Sequence, residues 1–202
     1  TKLDLNYAFS QLPLSGRTSK PCNFNLLGGK ATGTYRFKTG FYGLTDMPTE
    51  FQKAMDRTLG LTDFSFCFLD DILIASAGSL EEHNAKVDET LRKIDLEGFS
   101  LKFSKCEFLV KDIEWLGFEI NREGVRPKRS KIQDIMNLKP PKTLRKLRSF
   151  IGSINHLGNF IEGSQKLVAE FKESLSKGNK LKFFWSEKQD KAFYELLDKI
   201  AN

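Results

Sequence analysis

Residues 66–74 read Phe-Cys-Phe-Leu-Asp-Asp-Ile-Leu-Ile, two adjacent carboxylates in a run that is otherwise apolar. Apolar and β-branched residues on both sides predict two buried strands, 64–69 and 72–76, meeting at Asp70-Asp71. Neighbouring side chains of a strand point to opposite faces, whereas at a tight turn two acids can reach one surface. Aspartate is common in turns, so an isolated pair reads first as an ordinary hairpin. The flanks argue against that, because unpaired charges at the edge of a buried layer are costly. A divalent cation would offset the cost, and hard oxygen ligands favour magnesium. Two-metal phosphoryl transfer needs a further carboxylate. Asp4, in "KLDLNYAF", is a second acid in an apolar strand. An ion pair with a lysine such as Lys2 is the alternative use for it.

The remaining chain alternates extended and helical patterns. Residues 2–9 predict a strand, and 22–40 predict two strands joined at Gly28-Gly29. Residues 47–60 predict a helix with Pro48 at its start and Gly60 as its stop. Residues 79–98 predict another, with Ser79 and Glu82 as a capping box and Leu80, Ala85, Val87, Leu91 and Ile94 as its buried stripe. Several short strands are expected over 100–120. Helices are expected over 128–138 and 142–158, split by Pro140-Pro141, then near 165–176 and over 187–200, with a strand at 181–185. The class is α+β, with the helical part downstream of the sheet. A chain of 202 residues suffices for one domain or two small ones. Its apolar runs are too short to span a membrane, and no segment is laid out as a secretory signal. Cys22, Cys67 and Cys106 form no CxxC pair, and with only His83 and His156 beside them a zinc site is not expected. The thiols read as reduced residues of an intracellular protein. The opening "TKLDLNYAF" reads as the interior of a strand, which suggests a piece of a longer chain.

Charge is uneven. Between Arg122 and Arg148, ten basic residues stand against Glu123 and Asp134; this local +8 leaves −2 for the rest of a chain of net charge +6. A concentrated positive region is the footprint of a polyanion partner, with a solvated helical face as the plainer explanation.

Five segments, "KLDLNYAFSQLPL", "FKTGFYGLTDMPTEFQ", "FCFLDDILIAS", "LKFSKCEF" and "EWLGFEI", follow the order and approximate spacing of reverse transcriptase palm motifs. They resemble the version found in gypsy-type LTR retrotransposons. "LRSFIGSINHLGNFI" resembles the thumb segment of those elements, and "LKFFWSEKQDKAFYELL" the connector preceding ribonuclease H. The resemblance implies a polymerase palm over 1–120, an antiparallel sheet packed on helices. A basic, mainly helical thumb over 121–175 and the start of a connector over 176–202 would follow.

The resemblance also implies an RNA-directed DNA polymerase that extends a primer 3′-hydroxyl. Asp4, Asp70 and Asp71 would hold two Mg²⁺ ions, with Mn²⁺ as a substitute, and the Leu5 carbonyl would contact one of them. Phe9 would be the gate against ribose. Tyr42, Gly43 and either Lys102 or Lys105 would serve the nucleotide, the lysine as proton donor to pyrophosphate. Phe68, Leu69 and Gln52 would meet the primer and template. Trp115, Leu116 and Gly117 would form the primer grip, and Arg126, Lys128, Arg129, Arg145 and Arg148 would contact the backbone phosphates. Phe68 stands where tyrosine is usual and Met47 where alanine is common; neither change removes a metal ligand. The family's fingers region, which carries triphosphate-binding basic residues, precedes the position of Asp4. Implied partners are an RNA or DNA template with its primer, deoxynucleoside triphosphates, and ribonuclease H and integrase in the same polyprotein. No membrane is implied, and the setting is a cytoplasmic particle. The competing readings are a catalytically inactive relic that binds nucleic acid, and a module whose acids hold a fold-stabilising cation.

Overall fold

The computed structural model describes residues 1–20, 22–28, 32–176 and 183–201, with the backbone alone at 173 and 176. The chain divides into two compact units, Thr1–Ile113 and Glu114–Asn202.

The first unit is built on strands β1 (Lys2–Asp4), β4 (Ser65–Phe68) and β5 (Asp71–Ile74), in the antiparallel order β1-β5-β4. The free edge of β1 is covered by the segment after 100: Lys2 and Glu107 exchange backbone hydrogen bonds of 2.7 and 2.9 Å, and Leu5 bridges Leu101. Leu3, Leu5, Ile72 and Ile74 line one face of the sheet. They are buried with Phe51, Met55 and Leu59 of helix α2 (Met47–Leu59) and Val87 and Ile94 of α3 (Leu80–Leu96). A short helix α1 (Gly16–Ser19) leads into a separate hairpin of β2 (Asn23–Leu26) and β3 (Gly33–Arg36), where Phe24 and Tyr35 stack at 5.8 Å. Gly28, just past β2, has φ +105°, as a glycine turn requires; Gly29 lies outside the described residues.

Several elements differ from expectation. The first strand ends at Asp4 rather than continuing to residue 9. Tyr7 adopts φ 46° and turns the chain into a 3-10 helix over Ala8–Gln11, held by the Gln11 amide on Asn6 and Ser100. In α3 the capping box forms, but Leu80 and Ala85 are exposed. Val87, Leu91 and Ile94 pack inward as expected, with Thr90 buried beside them, and His83 holds the first turns to Ser76 by a 2.6 Å hydrogen bond. Residues 100–112 form only a 3-10 helix (Phe103–Lys105) and bridges, with no strand of their own.

The second unit opens with a three-stranded sheet, β6 (Ile113–Trp115), β7 (Phe118–Asn121) and β8 (Gly124–Pro127). Helices α4 (Arg129–Met136), α5 (Leu144–Leu157), α6 (Ser164–Ala169), α7 (Lys172–Ser176) and α8 (Glu187–Ala201) follow. Leu147, Phe150, Ile154, Phe171, Phe193 and Leu196 form their shared core. The single helix expected near 165–176 is two, because the chain breaks to bury Phe171, which meets Phe150 edge-on at 5.8 Å and stacks on Trp185 at 5.5 Å. Residues 183–185 are not a strand, and 181–182 lie outside the described residues.

Candidate active site

Thr1 and Ile74 exchange both backbone hydrogen bonds, at 3.0 and 2.8 Å. Pairs alternate along an antiparallel ladder, so Lys2–Leu73 and Asp4–Asp71 are non-hydrogen-bonded pairs, in which facing side chains come closest. Asp4 and Asp71 therefore project from one face with Cβ atoms about 4.5–5.5 Å apart. Lys2, Phe66, Phe68 and Leu73 share that face; the opposite one is the core. Asp70 stands at the end of the hairpin. Its carbonyl accepts the Leu5 N–H at 3.2 Å, so the Leu5 carbonyl leaves its strand on the same side.

The hairpin turns one residue earlier than the expected meeting point. Phe68 pairs with Asp71, leaving Leu69-Asp70 as the two-residue loop. Leu69 has φ +53° and Asp70 does not share the positive sign, the pattern of a turn that ordinarily takes glycine first. A leucine there costs on the order of 1 kcal/mol or more. Gln52 on α2 braces it: its Oε1 accepts the Leu69 N–H at 2.7 Å, while its Nε2 donates to the Cys67 carbonyl at 3.1 Å and to Asp56 at 2.8 Å. Cys67 adds an S–H donation to the Leu69 carbonyl at 3.2 Å.

Each facing acid has a lysine. Lys105 Nζ lies 3.2 Å from Asp4 Oδ2, and Lys2 Nζ lies 3.7 Å from Asp71 Oδ1. Burial raises the Asp71 carboxyl above its ordinary range; Lys2 opposes the rise, and Asp70 and Asp4 add to it. The hydrogen bond to Asp4 raises the Lys105 ammonium in turn. Lys102 contributes its backbone N–H to the Asp4 carbonyl at 2.8 Å, and among the described residues its ammonium meets no carboxylate.

Phe9 packs on Phe51 at 5.6 Å and on the exposed Tyr42 at 5.1 Å, so the expected gate and nucleotide aromatic are neighbours. Gly43 takes φ +105° with open space around it. Trp115 ends β6, and Leu116 and Gly117, with φ 52° and 83°, form a turn that closes the β6–β7 hairpin. Among the expected phosphate contacts, Arg126 is paired with Glu119 at 2.8 Å and Lys128 with Glu114 at 2.7 Å. Arg129, Arg145 and Arg148 are exposed and, among the described residues, have no acidic partner.

Lys2, expected as a partner for Asp4, is found 3.7 Å from Asp71 instead. Two residues escaped the sequence reading. Cys106, whose sulfur accepts the Asp4 N–H at 3.5 Å, carries no signal of it in the sequence. Nor does Gly40, where a Cβ would collide with the Phe9 carbonyl and come within 2.6 Å of the Met47 sulfur.

As a cation site, the donor set has the right chemistry: three carboxylates and a carbonyl, all hard oxygens. Among the described residues no three acidic, His or Cys side chains converge on one point, and Asp4 and Asp71 each stand beside a lysine.

The fold is that of a polymerase. The structure of a foamy viral protease-reverse transcriptase in complex with double-stranded DNA superposes with TM-score 0.80 at 18% identity, over 98% of this chain and 34% of that one. The same viral protein with an RNA/DNA hybrid gives 0.78 at 21%, over all of this chain and 27% of that one. Residues 1–120 match the family model for reverse transcriptase (RNA-dependent DNA polymerase), and the chain belongs to that family. The Tf2-3 and Tf2-4 transposon polyproteins of Schizosaccharomyces pombe are 30% identical over 194 residues, 95% of this chain and 14% of each polyprotein. The chain thus spans about a seventh of the length of these relatives.

Proposed function

We propose that the chain is the palm and thumb of an RNA-directed DNA polymerase encoded in a gypsy-type LTR retrotransposon polyprotein. The observation that carries this reading is the Asp4–Asp71 pair, two acids facing each other at the closest kind of ladder position, with Asp70 at the adjoining turn. Two divalent ions, Mg²⁺ or Mn²⁺, would lower the pKa of the primer 3′-hydroxyl and neutralise charge on the departing pyrophosphate. Asp4, Asp70, Asp71 and the Leu5 carbonyl hold them. Of the two candidate lysines, Lys105 is the better proton donor to pyrophosphate, since its side chain is the one whose ammonium reaches the face of the acids. Phe9, fixed between Phe51 and Tyr42, crowds the 2′-position of an incoming ribonucleotide and so favours deoxynucleotides. Phe68, exposed on the catalytic face beside Asp71, offers its ring to the primer end. Arg129, Arg145 and Arg148 would bind backbone phosphate, reading charge rather than sequence. The foamy viral relatives were captured on double-stranded DNA and on an RNA/DNA hybrid, which supports a primer–template as substrate here.

In the polyprotein that contains this chain, Mg²⁺-dependent primer extension on an RNA template should fall by at least about a thousandfold in Asp71→Asn, with little change in the unfolding midpoint. Normal extension by that variant would remove the acid pair from the chemistry. A midpoint lowered only when Mg²⁺ is present, and no extension by the parent, would favour the fold-stabilising cation instead.

A further inference from the structure

Two carboxylates that face each other at a non-hydrogen-bonded pair repel, and such like-charge pairs destabilise a sheet. Here each is met by one ammonium group, drawn from different parts of the chain. Lys2 reaches diagonally across the ladder to Asp71, and Lys105 comes from the 3-10 helix more than thirty residues beyond β5. The Asp4 side chain is only 13% exposed, so an unpaired charge there would be costly even though Lys105 reaches it from solvent. Two positive charges therefore stand where the proposed chemistry needs two cations.

We infer that Lys2 and Lys105 are resident counter-ions of the metal-free site, and that divalent ions load by displacing their ammonium groups. The inference rests on the reading of Asp4 and Asp71 as cation ligands. An ion bound to these oxygens comes within a few ångströms of both nitrogens, and at that range a doubly charged ion and an ammonium repel strongly. The long stems of both lysines let the charged heads swing out without disturbing the sheet. Each lysine thus supports the fold before loading and opposes loading itself. Displacement also releases Lys105 from Asp4, so the proposed proton donor becomes free only once the site is charged with metal.

Mn²⁺ titrated calorimetrically into the chain, without nucleotide or nucleic acid, tests this. Lys2→Met and Lys105→Met keep the apolar stem and remove the charge, and each should bind Mn²⁺ about three- to tenfold more tightly than the parent. Their metal-free unfolding midpoints should be lower than the parent's, and the gap should close as Mn²⁺ is added. Lys2→Arg, which keeps the charge, should bind like the parent. Lys105 is largely exposed, so its variant keeps the core intact and gives a result even if Lys2→Met folds poorly. Mn²⁺ affinity in Lys105→Met equal to or weaker than that of the parent overturns the inference. Parental Mn²⁺ binding by Asp71→Asn would overturn the ligand assignment beneath it, a separate failure.

Discussion

Gln52 joins helix α2 to the loop that carries the acids, and its amide is committed to Cys67, Leu69 and Asp56 rather than left free for a template base. Replacing it with leucine would strand the Leu69 N–H and the Cys67 carbonyl beside an apolar side chain. We expect Gln52→Leu to cost about 1–3 kcal/mol in urea denaturation and to slow primer extension, since the turn at Leu69 loses its brace. A change below about 0.5 kcal/mol would mean that the turn holds itself, within the range of an ordinary surface substitution. Gly40 belongs to the same scale. It admits the Phe9 carbonyl and Met47 at a distance no side chain allows, so it sets the seat of the proposed ribose gate from behind.

At the scale of elements, the β4–β5 hairpin shows what a sequence does and does not disclose. Its strands, its apolar flanks and its acids were plain from the alternation of residues 64–76, and so were the caps of α3 and the break at Pro140-Pro141. The turn was misplaced by one residue because Asp-Asp is better turn chemistry than Leu-Asp; the register follows instead from Gln52, whose contribution is tertiary. Which acid each lysine meets was not legible for a related reason, since Lys105 meets Asp4 only after the 3-10 helix has folded against β1. The environment of the hairpin also has a chemical signature. Burial, helped by Asp56, Asp70 and Asp71, pushes the Cys67 thiol up to about 12. At pH 8 its thiolate is then about one part in ten thousand. N-ethylmaleimide should label Cys67 slowly in the native chain and at the ordinary thiol rate in urea, as peptide mass spectrometry would show. Rapid native labelling would mean that the hairpin opens readily.

At the scale of the whole molecule, each of the two units has its own core, one around Phe51 and Met55 and the other around Phe150 and Phe193. Phe193→Ala should destabilise the second unit by about 3–5 kcal/mol. Amide exchange at Leu3 and Ile72 should keep its protection, and simultaneous loss at both cores would show one cooperative whole. Helix α8 brings Phe193, Leu196 and Leu197 into that second core. The positive stretch is likewise divided in the fold: Arg126 and Lys128 are paired with neighbouring acids, while Arg129, Arg145 and Arg148 are exposed and, among the described residues, meet no carboxylate.

The facing of Asp4 and Asp71 is a matter of parity. Strand side chains alternate, so inserting one residue between Asp71 and Ile72 would send Asp71 toward the core face and bring an apolar neighbour out. A change of length in this strand thus undoes the site as surely as the loss of Asp71 itself. Wherever such a chain accumulates copying errors, lost or gained codons in this hairpin should be the rarest survivors.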